Sequence, residues 1–162
     1  MPATATRGVY FAKAQKGNKE TGKNNTKYAK ELDRVGYYKP QKKQGVAWCG
    51  TYCNWIIYET CSKDVNKAQS IQYQPHVNNL SASAKYYASY FRKKGRLYKG
   101  AKLGDIVIFG KAGKETHVGY VIAVKGSLIR TSEGNVSNKV VERTYKYNAS
   151  NIVGYGRVKY DS

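Results

Sequence analysis

Cys49, His117, Glu133 and Asn135 are the residues whose types and order could do chemistry together. Cys49 lies in Val46-Ala47-Trp48-Cys49-Gly50-Thr51-Tyr52-Cys53-Asn54-Trp55, where a turn feeds into a helical run. A cysteine at a helix N-terminus is a candidate thiolate, because the positive end of the helix dipole lowers the thiol pKa. A histidine that holds the ion pair lowers it further and turns the sulfur into a nucleophile. His117 opens an apolar strand, Thr116-His117-Val118-Gly119-Tyr120-Val121, and Glu133-Gly134-Asn135 follows one hairpin later. Pairing through the Gly126-Ser127 turn returns the chain to His117, where Glu133 or Asn135 could accept the Nδ1 hydrogen and orient the ring. The set reads as a thiol hydrolase.

The remaining candidates are less specific. The other histidine, His76, has no such context. Cys53 and Cys61 read as small apolar core residues. Three cysteines and two histidines without finger-like spacing do not make a structural zinc site. Gly50 leaves the cysteine side chain open to a substrate. The backbone N–H of Cys49 is an oxyanion donor by position, and Tyr28 or Gln44 could add a side-chain donor.

The elements that must position these groups follow from periodicity and punctuation. Helices are expected from about Gly8 to Lys16, after a cap near Asn25 to Asp33, and from Trp48 to about Glu59. Another should start at Asn79 or Ser81 and run to Lys94, closed by Gly95. Residues 62–75 carry no clear signal. Strands are expected at Asp105–Phe109, His117–Val124, Ser127–Ser132, Lys139–Tyr145 and Ile152–Lys159, with a polar turn over 111–115. Alone, Glu133-Gly134-Asn135 reads as a turn. Helices first and an antiparallel sheet of about five strands second define an α+β class. The 162 residues suit one domain, 1–162.

Lysine and arginine number 29 against 10 acids, a net charge of +19, which predicts polyanionic surroundings. The lysines are spread along the chain, which favours general attraction over sequence-specific nucleic-acid readout. Sixteen tyrosines against three phenylalanines supply flat, polar-tipped surfaces suited to sugars or bases, or else partly buried packing. No apolar stretch reaches the ~20 residues of a membrane span, and residues 1–7 lack the apolar run of a secretory signal.

The chain resembles the CHAP family, the cysteine, histidine-dependent amidohydrolases/peptidases of papain-like fold. The matching residues are Asn25-Thr26-Lys27-Tyr28, Trp48-Cys49-Gly50 with Trp55, and Gly104-Asp105-Ile106-Val107-Ile108-Phe109. His117-Val118-Gly119-Tyr120-Val121, Glu133-Gly134-Asn135 and Gly154-Tyr155-Gly156-Arg157 complete the set. The early signature looks most like bacteriophage endolysins and related wall hydrolases. The resemblance implies cleavage of a peptidoglycan amide, either N-acetylmuramoyl-L-alanine or a stem or cross-bridge bond. By position it makes Cys49 the nucleophile, His117 the base and then acid, Glu133 the orienting carboxylate and Asn135 a further polar residue. A monomer without cofactor is expected, and the separate wall-binding module that many members of the family carry is not expected in this chain. The protein would then act from the host cytoplasm on the wall, or be secreted to it. Some members carry an aspartate-rich calcium loop before the cysteine; residues 38–45 contain no carboxylate, which argues against a metal there. The charge would draw the protein to anionic wall polymers. Rival readings are a basic wall- or nucleic-acid-binding module without catalysis, and a thiol enzyme acting on another amide.

Overall fold

The computed structural model describes residues 1–161. Five helices precede and flank a six-stranded antiparallel sheet, the α+β arrangement expected. The helices are α1 (Ala5–Lys13), α2 (Lys27–Arg34), α3 (Cys49–Thr60), α4 (Val65–Ser70) and α5 (Ala84–Lys93). The strands are β1 (Leu97–Tyr98), β2 (Ile106–Lys111), β3 (Lys114–Lys125), β4 (Leu128–Val136), β5 (Lys139–Lys146) and β6 (Ile152–Gly156), in the order β1-β6-β2-β3-β4-β5.

Capping explains where the helix boundaries differ from expectation. Thr4 accepts the Arg7 N–H and starts α1 three residues early, so Gly8 lies inside the helix rather than at its head. Thr26 caps α2 through the Ala29 N–H. Asp64 accepts the Lys67 N–H and nucleates α4 within the segment that gave no signal. Asn79 does not cap a helix; its Oδ1 accepts the Ser81 N–H at 2.8 Å, and α5 starts after Ser83. In the sheet, the turn after β2 shrinks to Ala112-Gly113, and β6 ends at Gly156 because Arg157 and Lys159 bond Arg96 and Ile71 instead. β1 is the added sixth strand. Glu133-Gly134-Asn135 lies within β4 and is not a free turn.

α3 is buried on nearly every side, as befits a helix that is apolar all round. Ile106, Ile108, Val118, Tyr120 and Ile122 point from the sheet into this main core. Val107, Phe109, Val121, Ile129 and Tyr155 form a smaller cluster on the opposite face. Seven of the sixteen tyrosines, Tyr28, Tyr37, Tyr38, Tyr52, Tyr87, Tyr120 and Tyr155, are fully buried. They supply packing area with a polar tip that finds a partner, rather than a ligand surface.

One buried polar knot fixes α3. Asn54 Oδ1 accepts from Gln74 Nε2 at 2.8 Å and Tyr37 Oη at 3.2 Å, while its Nδ2 donates to Tyr38 Oη at 2.8 Å and Ser81 Oγ at 3.2 Å. Tyr87 and Gln72 extend the network by a short hydrogen bond. Removing one member of such a network leaves its neighbours buried and unpaired. Asn54→Ala is therefore expected to lose about 3 kcal/mol of unfolding free energy. A urea midpoint that falls with unchanged slope is the reading that checks it.

Candidate active site

The cysteine sits where the sequence placed it, as the first residue of α3. Trp48 occupies the N-cap and makes no side-chain cap hydrogen bond, so the first amides of the helix stay free of a side-chain partner. The Trp48 indole is buried, and its Nε1 donates to Glu20 Oε1 at 2.9 Å. Tyr52, one turn into the helix, shares a 2.7 Å hydrogen bond with Ser132 of β4. Ahead of the helix, Asp33 accepts the amides of Lys43 and Gln44 at 2.8 and 2.9 Å and tethers the approach loop.

The strands bring the other groups. β3 pairs with β4 from Lys125↔Leu128 to Tyr120↔Ser132 and then parts from it. The Val118 amide, just past the last pair, and the Gly50 amide both help to lower the Cys49 pKa. A bulge between Val121 and Ala123 shifts the register by one. Without it the ladder would put Glu133 opposite Tyr120, on the helix face. With it Glu133 lies beside Gly119 and shares the outer face with His117.

His117 Nε2 meets Glu133 Oε1 at 2.8 Å. This corrects the expected tautomer: the carboxylate takes Nε2, which leaves Nδ1 for the thiol. The side chain of Glu133 is fully buried and that of His117 is 21% exposed. Around the carboxylate, Arg143 Nη2 donates to Oε1 at 2.5 Å and Nε to Oε2 at 3.3 Å. Thr131 Oγ1 and Tyr145 Oη donate to Oε2 at 2.5 and 2.9 Å. The Phe109 ring packs 5.5 Å from the His117 ring and 5.2 Å from Tyr145.

The electrostatics follow from these contacts. Burial would raise the Glu133 carboxyl, but the bonds from His117, Arg143 and Thr131 prevail and bring it down to about 2. Burial would lower His117; the Cys49 sulfur and the Glu133 carboxylate outweigh it and lift the imidazole to about 9. Burial would raise Cys49, yet the His117 hydrogen bond and charge and the two backbone amides hold it below the usual thiol value. The two shifts run in the directions that favour a thiolate paired with an imidazolium. Burial pushes Cys61 up to about 12 and Cys53 upward as well, so both are inert thiols.

Other expected groups fare differently. Asn135 lines a cleft of 570 Å³ with His117, Phe109 and Arg143. Its φ of 61° and the shift between Glu133 and Val136 break the regular alternation that would have aligned it with Glu133. Tyr28 is no oxyanion donor. It is fully buried against Trp48, Tyr52 and Trp55, its hydroxyl donating to Gln15 Oε1 and accepting from Asn18 Nδ2, both at 3.0 Å. Trp48 is likewise a packing residue. Gln44 is exposed and its Oε1 accepts the Thr26 N–H at 3.0 Å, which keeps its amide NH2 as a donor. Gly50 is required for packing rather than for substrate access: a Cβ there would lie 2.3 Å from the Ala82 carbonyl oxygen. His76 binds Gln69 Oε1 at 2.7 Å, in the α4 region.

Arg143, Tyr145, Thr131 and Phe109 escaped the sequence reading. For Arg143, Tyr145 and Thr131 the signal is the two-residue alternation of β4 and β5, which carries meaning only once the register opposes Thr131 to Arg143 and Ile129 to Tyr145, while Phe109 lies on β2 opposite His117.

A family model for the CHAP domain matches residues 41–135, which include Cys49, His117, Glu133 and Asn135. The chain belongs to the CHAP domain family. Among solved structures it is similar to Ly7917, with 18% identity and a TM-score of 0.58, covering 96% of this chain and 62% of that one. A second crystal structure, Ly7917 with the hydrolyzing product of MDP, aligns at 17% identity and a TM-score of 0.49, covering 94% and 61%. The chain thus spans less than two thirds of Ly7917. A search of the curated proteins finds no match.

Two measurements check the electrostatics. Alkylation at neutral pH should modify Cys49 alone, about tenfold faster than in His117→Ala. The parent's rate should stay high below the ordinary thiol range and change as the imidazolium deprotonates near pH 9. For stability the sign is opposite at the two ends. The raised His117 pKa stabilises the fold below its ordinary value and loses that contribution as pH climbs through about 9. The depressed Glu133 pKa stabilises above the ordinary carboxylate value and loses it as pH falls towards about 2. Arg143→Gln removes the two guanidinium bonds that help hold Glu133 down, so its acid-unfolding midpoint should move up by roughly half a pH unit. Arg143→Lys should recover only part of that shift, because it lacks the two-pronged geometry.

Proposed function

We propose that the protein hydrolyses an amide bond of bacterial peptidoglycan by a cysteine mechanism, as a wall-lysing enzyme of the endolysin kind. The observation that carries the reading is His117, which is bonded to the buried Glu133 carboxylate, lowers the Cys49 thiol pKa and lines an open cleft. Membership of the CHAP family supports the choice of wall amide, since that is what the resemblance of the motifs implies. The net charge of +19 suits an anionic wall.

The steps follow from the groups in place. The Cys49 thiolate attacks the amide carbon, and the carbonyl oxygen becomes an oxyanion. The Cys49 N–H at the uncapped helix start supplies one donor to it, and the Gln44 amide is the side-chain candidate. His117 gives its proton to the leaving nitrogen, the C–N bond breaks and a thioester remains. Water then attacks the thioester, His117 takes its proton, and the carboxylic product leaves with the thiolate restored. Glu133 keeps the ring oriented through both transfers without being protonated, which its low pKa permits.

Incubation of purified cell wall with the parent should release soluble fragments, and Cys49→Ala should be at least about 1000-fold slower. His76→Ala, distant in role, should match the parent. Mass spectrometry of the fragments assigns the bond: a freed muramoyl carboxyl with a new alanine amine marks an amidase, a new amine within the peptide an endopeptidase. Lysis by Cys49→Ala at the parent's rate would overturn the mechanism.

A further inference from the structure

The cleft beside His117 does not stop there. A second cavity of 510 Å³, lined by Gly110, Lys111, Lys114, Thr116, Ser150 and Asn151, shares Gly110, Thr116 and Asn151 with the first. The two are one trough. The sheet makes it by bulging on both flanks of β2 at the same level: against β3 between Phe109 and Gly110, and against β6 between Ile108 and Phe109. Gly110, at φ 119°, floors the passage; a Cβ there would lie 2.7 Å from the Lys114 carbonyl oxygen.

The far end of the trough is basic without compensation. Lys111 and Lys114 are register partners across the two-residue turn, so two like charges face each other, an arrangement that destabilises a bare hairpin. The ion pairs among the described residues engage neither. Nearby acids are already held: Glu115 by Arg92 and the Gly113 N–H, Glu133 by His117 and Arg143. Thr116, Ser150 and Asn151 add neutral donors around the same space.

We infer that the Lys111–Lys114 end of the trough is a subsite for a carboxylate carried by the substrate, so that the enzyme prefers peptides with a free acid near the bond it cuts. The inference rests on the proposed amide hydrolysis. Contiguity with His117 argues for a group attached to the reacting molecule. Attraction to a wall polymer's phosphates needs no pocket and would be served by any of the scattered lysines.

The test uses soluble muropeptides whose stem carboxylates are either free or amidated. The parent should favour the free acid by about tenfold in kcat/KM. Lys111→Gln/Lys114→Gln should lose that preference through KM, with kcat and the amidated substrate little changed. Lys125→Gln/Lys146→Gln, which removes the same charge at the other end of the sheet, should keep it. Equal loss on both substrates, or no loss, overturns the subsite. Loss seen only on whole wall assigns the lysines to wall phosphate and overturns it too. Cleavage of neither substrate by the parent would instead sink the hydrolase reading. The subsite is then judged on the Cys49→Ala protein, where the free-acid peptide should bind about tenfold more tightly than the amidated one, and equally once both lysines are glutamine.

Discussion

A carboxylate with no access to water has to be held as an ion by protein groups alone, and the site is organised around that demand. Glu133 is fully buried, and an isolated ion there would instead take up a proton. Four side chains prevent this: His117, Arg143, Thr131 and Tyr145. Three of them lie on β4 and β5, so the hairpin is the rigid mount of the carboxylate. Once Glu133 is fixed as an ion, the imidazole is fixed in orientation and biased towards its charged form. The thiol on α3 then ionises against it. The buried carboxylate lifts the His117 pKa beside the Cys49 sulfur, and His117 with the Val118 and Gly50 amides lowers that of the thiol.

Sheet register is the second dependence. The bulge at Ile122 puts His117 and Glu133 on one face. An uninterrupted ladder from the Gly126-Ser127 turn would send their side chains to opposite faces, with every element otherwise in place. The β3–β4 pairing ends at Tyr120↔Ser132, and Val118 beyond it helps to lower the Cys49 pKa. The same strand therefore pairs with β4 at one end and, still paired with β2, builds the site at the other.

The sequence made the reacting atoms legible because they are rare types in a telling order: one cysteine before a helix, then one histidine and one carboxylate across a hairpin. The α+β plan was legible from periodicity. What stayed hidden needs knowledge of facing residues. Arg143 and Tyr145 acquire meaning only opposite Thr131 and Ile129, and no local pattern on β5 announces it. The choice of Nε2 over Nδ1 depends on ring orientation, which no local sequence pattern carries. Tyr28 was misjudged for a related reason. A polar tip beside a conspicuous motif suggested a donor, whereas the ring is clasped by Trp48, Tyr52 and Trp55 and its hydroxyl is taken by Gln15 and Asn18. Gly50 looked like an opening and is a contact with the Ala82 backbone.

The start of α3 shows where stability yields to chemistry. A serine, threonine or aspartate at an N-cap contributes about 1 kcal/mol by satisfying a helix amide, and α1, α2 and α4 each use one. α3, the most buried helix, has Trp48 there instead and no side-chain cap. The omission is consistent with use. An oxygen at that position would compete for the amides that hold the sulfur and face the developing oxyanion. The indole, by contrast, anchors the turn through Glu20 and leaves the dipole end open. The missing cap is made up elsewhere on the same helix, by the Asn54 knot and the Tyr52–Ser132 bond, which hold α3 against the core and against β4. The site thus owes its reactive end to anchoring at positions farther along the helix, where no chemistry competes.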